Sequence, residues 1–133
     1  MPSRLLISLL SALIFAACSE SDSIPQKPQI KLSPETVQTS SYVNSTFKAG
    51  VQIQNTGLDP LVLSDVQLSG DAAFTKVDGP SKTTLNRGES SYVQLAFTPT
   101  QVKAYSGTLT ITSNAENKAT ATISLQGDGL ANP

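Results

Sequence analysis

"YSGTLTITSNAENKATATISLQGDG", Tyr105 to Gly129, alternates with a period of two on both sides of a polar turn. In its first half Tyr105, Leu109 and Ile111 share one parity, while Ser106, Thr108, Thr110 and Thr112 take the other. In its second half Ala119, Ala121, Ile123 and Leu125 alternate with Thr120, Thr122 and Ser124. Successive side chains of a strand point to opposite faces, so each run predicts a strand with one dry and one wet face. Ser113 to Asn117 supplies the turn residues that join them.

The same alternation extends towards the N-terminus. In "FKAGVQIQ", Phe47, Ala49, Val51 and Ile53 share a face against Lys48, Gln52 and Gln54; in "SYVQLAF", Val93, Leu95 and Phe97 point inward. Asn55-Thr56-Gly57 and Asn86-Arg87-Gly88 punctuate the runs. One run breaks phase: Leu61 and Leu63 share a parity that Val66 and Leu68 do not, which predicts a bulge or a sheet-switching bend at Ser64-Asp65. No helical period longer than a turn survives outside the first 17 residues. The pattern predicts an all-β, antiparallel sandwich of about seven strands.

The order of these pieces resembles the Hydin-like (abnormal-spindle and Hydin) immunoglobulin-like domain, whose bacterial versions are labelled choice-of-anchor D. The resemblance rests on the Asn55-Thr56-Gly57 turn, the Phe97-Thr98-Pro99 strand end, Gly107-Thr108-Leu109 and the closing Gly127-Asp128-Gly129. It covers residues 30–130 and implies an immunoglobulin-like sandwich of the kind that binds other proteins or spaces them apart without catalysis. Gly57 is expected to supply a positive φ, Pro99 to end strand pairing, and Gly127 and Gly129 to let the last strand leave the sheet. The chain departs from the family pattern at Val37 to Thr46, where the pairing of the opening strand (residues 29–46) is left open, and at Ala104, where the family often has glycine.

Ahead of the domain, Arg4 is followed by a run of apolar residues from Leu5 to Ala17 and then by the sole cysteine, Cys18. Thirteen residues are too few to span a bilayer as a helix, which takes roughly 20. The run has the proportions of a secretory signal, with small Ala16 and Ala17 before the cleavage point. With Cys18 it resembles a bacterial lipobox, although Phe15 stands where leucine is usual. That resemblance implies fatty acylation (diacylglyceryl, then a further acyl chain such as palmitate) on a cysteine that has no disulfide partner. One acyl chain holds a protein to a membrane only marginally, whereas two or three hold it durably. Ser19, rather than an aspartate, favours the outer membrane over the inner by the enteric rule. The expected layout is a signal at 1–17, acylated Cys18 and a tether to residue 28, the domain at 29–130 and a short tail at 131–133. The tether "SESDSIPQKP" lacks the apolar surface to fold.

After removal of the signal, eight Lys and Arg face ten Asp and Glu with no run of like charge, which argues against nucleic acid as a partner. Histidine is absent, which removes the commonest general base and metal ligand. Serine and lysine are plentiful, yet no spacing singles out a dyad. Asp59, Asp65, Asp71 and Asp78 recur too sparsely for a calcium loop. The threonines of the last two strands form an ordinary wet face. Two aromatics, Tyr42 and Tyr92, are expected on the outside as surface contacts. These readings assign no catalytic residue, cofactor or metal. They favour a lipid-anchored binding or spacer module of the bacterial envelope, whose partners are other envelope proteins. Cell-surface carbohydrate binding is the alternative, with a hydrolase a more distant one.

Overall fold

The computed structural model describes residues 23–133; the signal run and Cys18 lie outside them. Among the described residues nine strands form two facing sheets: β1 Ile30–Ser33, β2 Thr36–Tyr42, β3 Phe47–Asn55, β4 Leu61–Gly70, β5 Phe74–Asp78, β6 Thr84–Leu85, β7 Ser90–Phe97, β8 Ala104–Ser113 and β9 Thr120–Leu130. The first sheet has the order β1-β3-β7-β5, the second β2-β9-β8-β4-β6. Beyond the roughly seven strands expected lie a split in the opening segment and the two-residue β6. Pro34 has no N–H to donate to a ladder, so β1 stops before it and the chain crosses from the first sheet to the second. Every pairing is antiparallel except that of β2 with β9, which run parallel from Thr36 beside Ser124 to Tyr42 beside Leu130.

Alternation in the chain becomes the core. Val51 and Ile53 of β3 and Val93, Leu95 and Phe97 of β7 face Leu61 and Leu63 of β4, Leu109 and Ile111 of β8, and Ala121, Ile123 and Leu125 of β9. Burying one such aliphatic side chain contributes about 2 kcal/mol. Phe97 stacks on Phe74 at 4.8 Å between centroids and meets Tyr105 edge-on at 5.6 Å. The Tyr105 hydroxyl in turn accepts the backbone N–H of Thr100 (3.2 Å) and Gln101 (2.9 Å), pinning the loop after β7. Hydrogen bonding at Thr100, helped by Gln101 and the Lys103 charge, holds that hydroxyl's pKa below the ordinary tyrosine value. The foreseen bulge is present: the β4–β8 register slips between Leu63 and Asp65, leaving Ser64 as the extra residue.

Two expectations about glycines change. Gly57 does not adopt a positive φ; its reason is space, since a Cβ there would lie 2.0 Å from the Lys27 carbonyl oxygen. Gly127 and Gly129 do not release the last strand, which pairs on to Leu130. They are small because Phe97 sits against one and the Gln101 carbonyl against the other.

The strands give the sandwich two poles. The chain enters at the pole of the 55–59 turn, where the carbonyls of Pro25 and Gln26 accept the N–H groups of Leu58 (3.0 Å) and Asp59 (2.9 Å). Residues 25–28, the end of the expected tether, therefore lie against the fold. The 11 residues of β9 run roughly 33 Å to the opposite pole, which carries the 43–46 and 98–103 loops.

Candidate interaction surfaces

Sheet edges are where this fold leaves backbone groups unpaired. Three of the four edge strands are blunted. β1 has only four residues, carries Lys31 and is stopped by Pro34. β5 carries Lys76 and Asp78, is bulged between them, and runs into Gly79-Pro80. β6 has two residues. β2 differs: its seven residues, TVQTSSY, contain no charge and no proline, and its pairing to β9 has no irregularity. Its far side has no neighbouring strand among the described residues.

β2 also forms one margin of a shallow trough. Register places side chains in three rows across the outer face of the second sheet: Gln38, Gln126 and Ser106; then Ser40, Asp128 and Ala104; then Tyr42 and Leu130. The middle row is built of short side chains, and an open depression of about 490 Å³ lies between Gln38, Gln126, Ala104 and Asp128. Gln38 Nε2 donates to Gln126 Oε1 at 3.3 Å. Lys82–Glu89 is the one ion pair among the described residues, so no cation is paired with the Asp128 carboxylate. Tyr42 is not among the residues that line the depression; it stands one row beyond Ser40 and Asp128 on the same face, with 47% of its surface exposed.

Tyr92 is exposed as expected, at 57%, but lies on the first sheet opposite Gln52. The two tyrosines occupy opposite faces of the sandwich and cannot share a ligand. The threonines form the foreseen wet face, with Thr110 beside Thr122 and Thr112 beside Thr120. Three of the four spaced aspartates accept hydrogen bonds from the protein itself: Asp59 Oδ1 accepts Gln26 Nε2 (3.1 Å), Asp71 Oδ2 accepts Ser106 N–H (2.8 Å) and Asp78 Oδ1 accepts Gly79 N–H (2.8 Å). Among the described residues no group of three His, Cys, Asp or Glu is placed to hold a metal. Ser91 is buried, but its hydroxyl bonds the backbone of Lys82 (2.7 and 2.9 Å) while the Lys82 ammonium turns to Glu89. That serine and lysine are therefore not a dyad.

In the sequence Asn55 reads only as a turn residue. It is fully buried and joins three segments: its own 55–59 turn and those of Gln29 and Leu85. Oδ1 accepts the N–H of Gly57 (2.9 Å) and Gln29 (3.3 Å), and Nδ2 donates to the carbonyls of Asp59 (2.8 Å) and Leu85 (2.9 Å). The trough was likewise unforeseen, since only register brings Ser40, Asp128 and Ala104 into one row.

A HYDIN/CFA65/VesB-like, Ig-like domain model matches residues 28–128. No curated protein matches the chain in sequence. Among solved structures, the human CEP192 ASH/PapD-like domain 7 superposes with a TM-score of 0.61 at 13% identity, covering 86% of this chain and 94% of that one. A Porphyromonas gingivalis W83 protein of unknown function gives 0.64 at 23% identity, over 81% of this chain and 50% of its own. The Vibrio cholerae protease VesB gives 0.65 at 18%, over 75% of this chain but 32% of VesB. At these identities the likeness is one of fold, and this chain spans about half of the second protein and a third of the third. With two facing sheets and a family match over nearly all of the described residues, the chain belongs to the HYDIN/CFA65/VesB-like family of Ig-like domains.

Proposed function

We propose that the protein is a non-catalytic, lipid-anchored module of a bacterial envelope, which docks an extended segment of another envelope protein along β2. The observation that carries this reading is the contrast among edges: β2 alone is long, uncharged, proline-free and regular. An extended partner strand added there gains main-chain hydrogen bonds, while the alternate side chains set specificity. The anchor is proposed from the Leu5–Ala17 run and Cys18. A tether entering at the 55–59 pole leaves the end of β2 at the opposite pole, away from the membrane. Ser19 supports the outer membrane as the location.

A photo-crosslinking residue placed at Gln38 or Ser40 in living cells is expected to trap a discrete envelope protein. The same residue at Thr110, on β8 between β9 and β4, should not trap it. Replacing Gln38 and Ser40 with lysine, the protection that other edges use, should abolish the adduct. Equal labelling at all three positions, or none at any, would remove the docking reading. For the anchor, mass spectrometry of the mature N-terminus should find acylated Cys18; an unmodified thiol there overturns that part.

A further inference from the structure

The trough on the second sheet has a chemistry distinct from that of the β2 edge beside it. Its rows follow each other at roughly 6.6 Å along the strands, so Tyr42 stands about one sugar-ring width from the row of Asp128. An open depression of about 490 Å³ is in the range of small-ligand sites. We infer that this trough binds a neutral glycan chain, with Tyr42 as the stacking platform and Asp128, Gln38 and Gln126 as the hydroxyl-binding groups.

Each wall narrows the class of ligand. No lysine or arginine lines the depression, so phosphate, sulfate or an acidic sugar would meet no compensating charge and would face Asp128. The floor is shallow and polar, which gives a lipid chain nothing to fill. The Gln38–Gln126 bond uses one amide proton and one carbonyl lone pair; the Gln38 carbonyl and the Gln126 amide nitrogen remain, held side by side as an acceptor and a donor. The Asp128 carboxylate accepts only. Sugar hydroxyls supply both donors and acceptors, and the C–H face of a pyranose suits the exposed Tyr42 ring. A basic peptide would also meet Asp128 and the amide pair, and titration separates it from a glycan. The row of short side chains Ser40, Asp128 and Ala104 crosses three strands and ends at the edge strand β2, so a chain fits better than a buried terminal sugar.

The inference does not depend on the partner proposed for the β2 edge, and its test is separate. The full-length protein would be titrated by calorimetry with linear hexasaccharides of β-1,4-glucose, α-1,4-glucose, β-1,4-xylose, β-1,4-mannose and β-1,4-N-acetylglucosamine. At least one is expected to bind. Tyr42→Ala should weaken it about tenfold, the scale of one lost aromatic contact. Asp128→Asn should weaken it severalfold by removing charge-assisted hydrogen bonds. Tyr42→Phe should retain most binding, and Tyr92→Ala all of it. Tyr42 is half exposed, so unchanged thermal unfolding of Tyr42→Ala would show that the loss is local. Silence across the saccharides overturns the inference, as does binding that Tyr92→Ala removes or that Tyr42→Ala and Asp128→Asn leave intact. A lysine-rich extended peptide that binds through Tyr42 while every saccharide stays silent would assign the trough to a protein and overturn it equally.

Discussion

The Phe97 ring lies over Gly127 so closely that a Cβ at residue 127 would come within 2.6 Å of Cζ and 2.7 Å of Cε1. The ring has little freedom to retreat, because Phe74 stacks on it and Tyr105 meets its edge. Gly127→Ala is therefore expected to destabilise the domain by about 1–3 kcal/mol, the cost typical of overpacking a filled core. Urea unfolding measures it. Combining Gly127→Ala with Phe97→Leu should destabilise less than the sum of the two single changes, since the smaller side chain relieves the clash. Strict additivity would show that the ring is not what excludes the methyl group.

Asn55 should be among the least replaceable residues. Its side chain satisfies two donors and two acceptors from its own turn, Gln29 and Leu85 in a fully buried place. Asn55→Ala strands those backbone groups without partners, each at about 1–3 kcal/mol if water does not reach it. A total near 2–4 kcal/mol is expected after partial relaxation. Asn55→Asp should fail as well, because a carboxylate cannot donate to the carbonyls of Asp59 and Leu85. Hydrogen exchange at Gly57 should accelerate in Asn55→Ala, whereas Asn55→Asp keeps an acceptor for that N–H; unchanged protection in the alanine variant would contradict the bonding described.

Glu89 provides a pH-dependent contribution with a definite sign. Its bond to the Lys82 ammonium, and then the Asn86 N–H at 2.8 Å, lower its pKa from the ordinary 4.5. A carboxyl whose folded pKa is depressed stabilises the fold above its unfolded value and loses that contribution as pH falls through the folded one. Glu89→Gln should thus lower the melting temperature slightly at neutral pH, with the difference closing below about pH 4. Because both side chains meet solvent, the gap should also shrink in high salt. A difference that widens on acidification would reverse the assignment.

Much of this fold was legible in the chain because period-two alternation is a local signal. The slip in parity between Leu63 and Val66 located the bulge at Ser64 for the same reason. Strand direction is not local. Nothing in "TVQTSSY" indicates that it lies parallel to Thr120–Leu130, and without that register Tyr42 is only an outward aromatic. Gly57 shows the converse: the need for glycine was visible, but its cause, the Lys27 carbonyl, comes from a distant segment. Asn55 hid its role because turn asparagines are common, and its burial depends on Gln29, Asp59 and Leu85 converging on it.

Gly50 stands apart from the other described glycines. Each of those either has a positive φ or would press a Cβ on backbone or a ring, whereas a Cβ at Gly50 meets nothing within 4 Å. It sits in the middle of β3 opposite Gln94, on the solvent side. Glycine there forgoes side-chain contacts with its neighbours and enlarges the entropy of the unfolded chain. Gly50→Thr should therefore stabilise the domain by about 0.5–1 kcal/mol, raising the melting temperature by a few degrees. Gly57→Ala, measured alongside, should lower it, because its Cβ would overlap the Lys27 carbonyl. A fall with Gly50→Thr would mean that another molecule covers this face of the first sheet in solution, and sedimentation of the two proteins would then reveal a change in association.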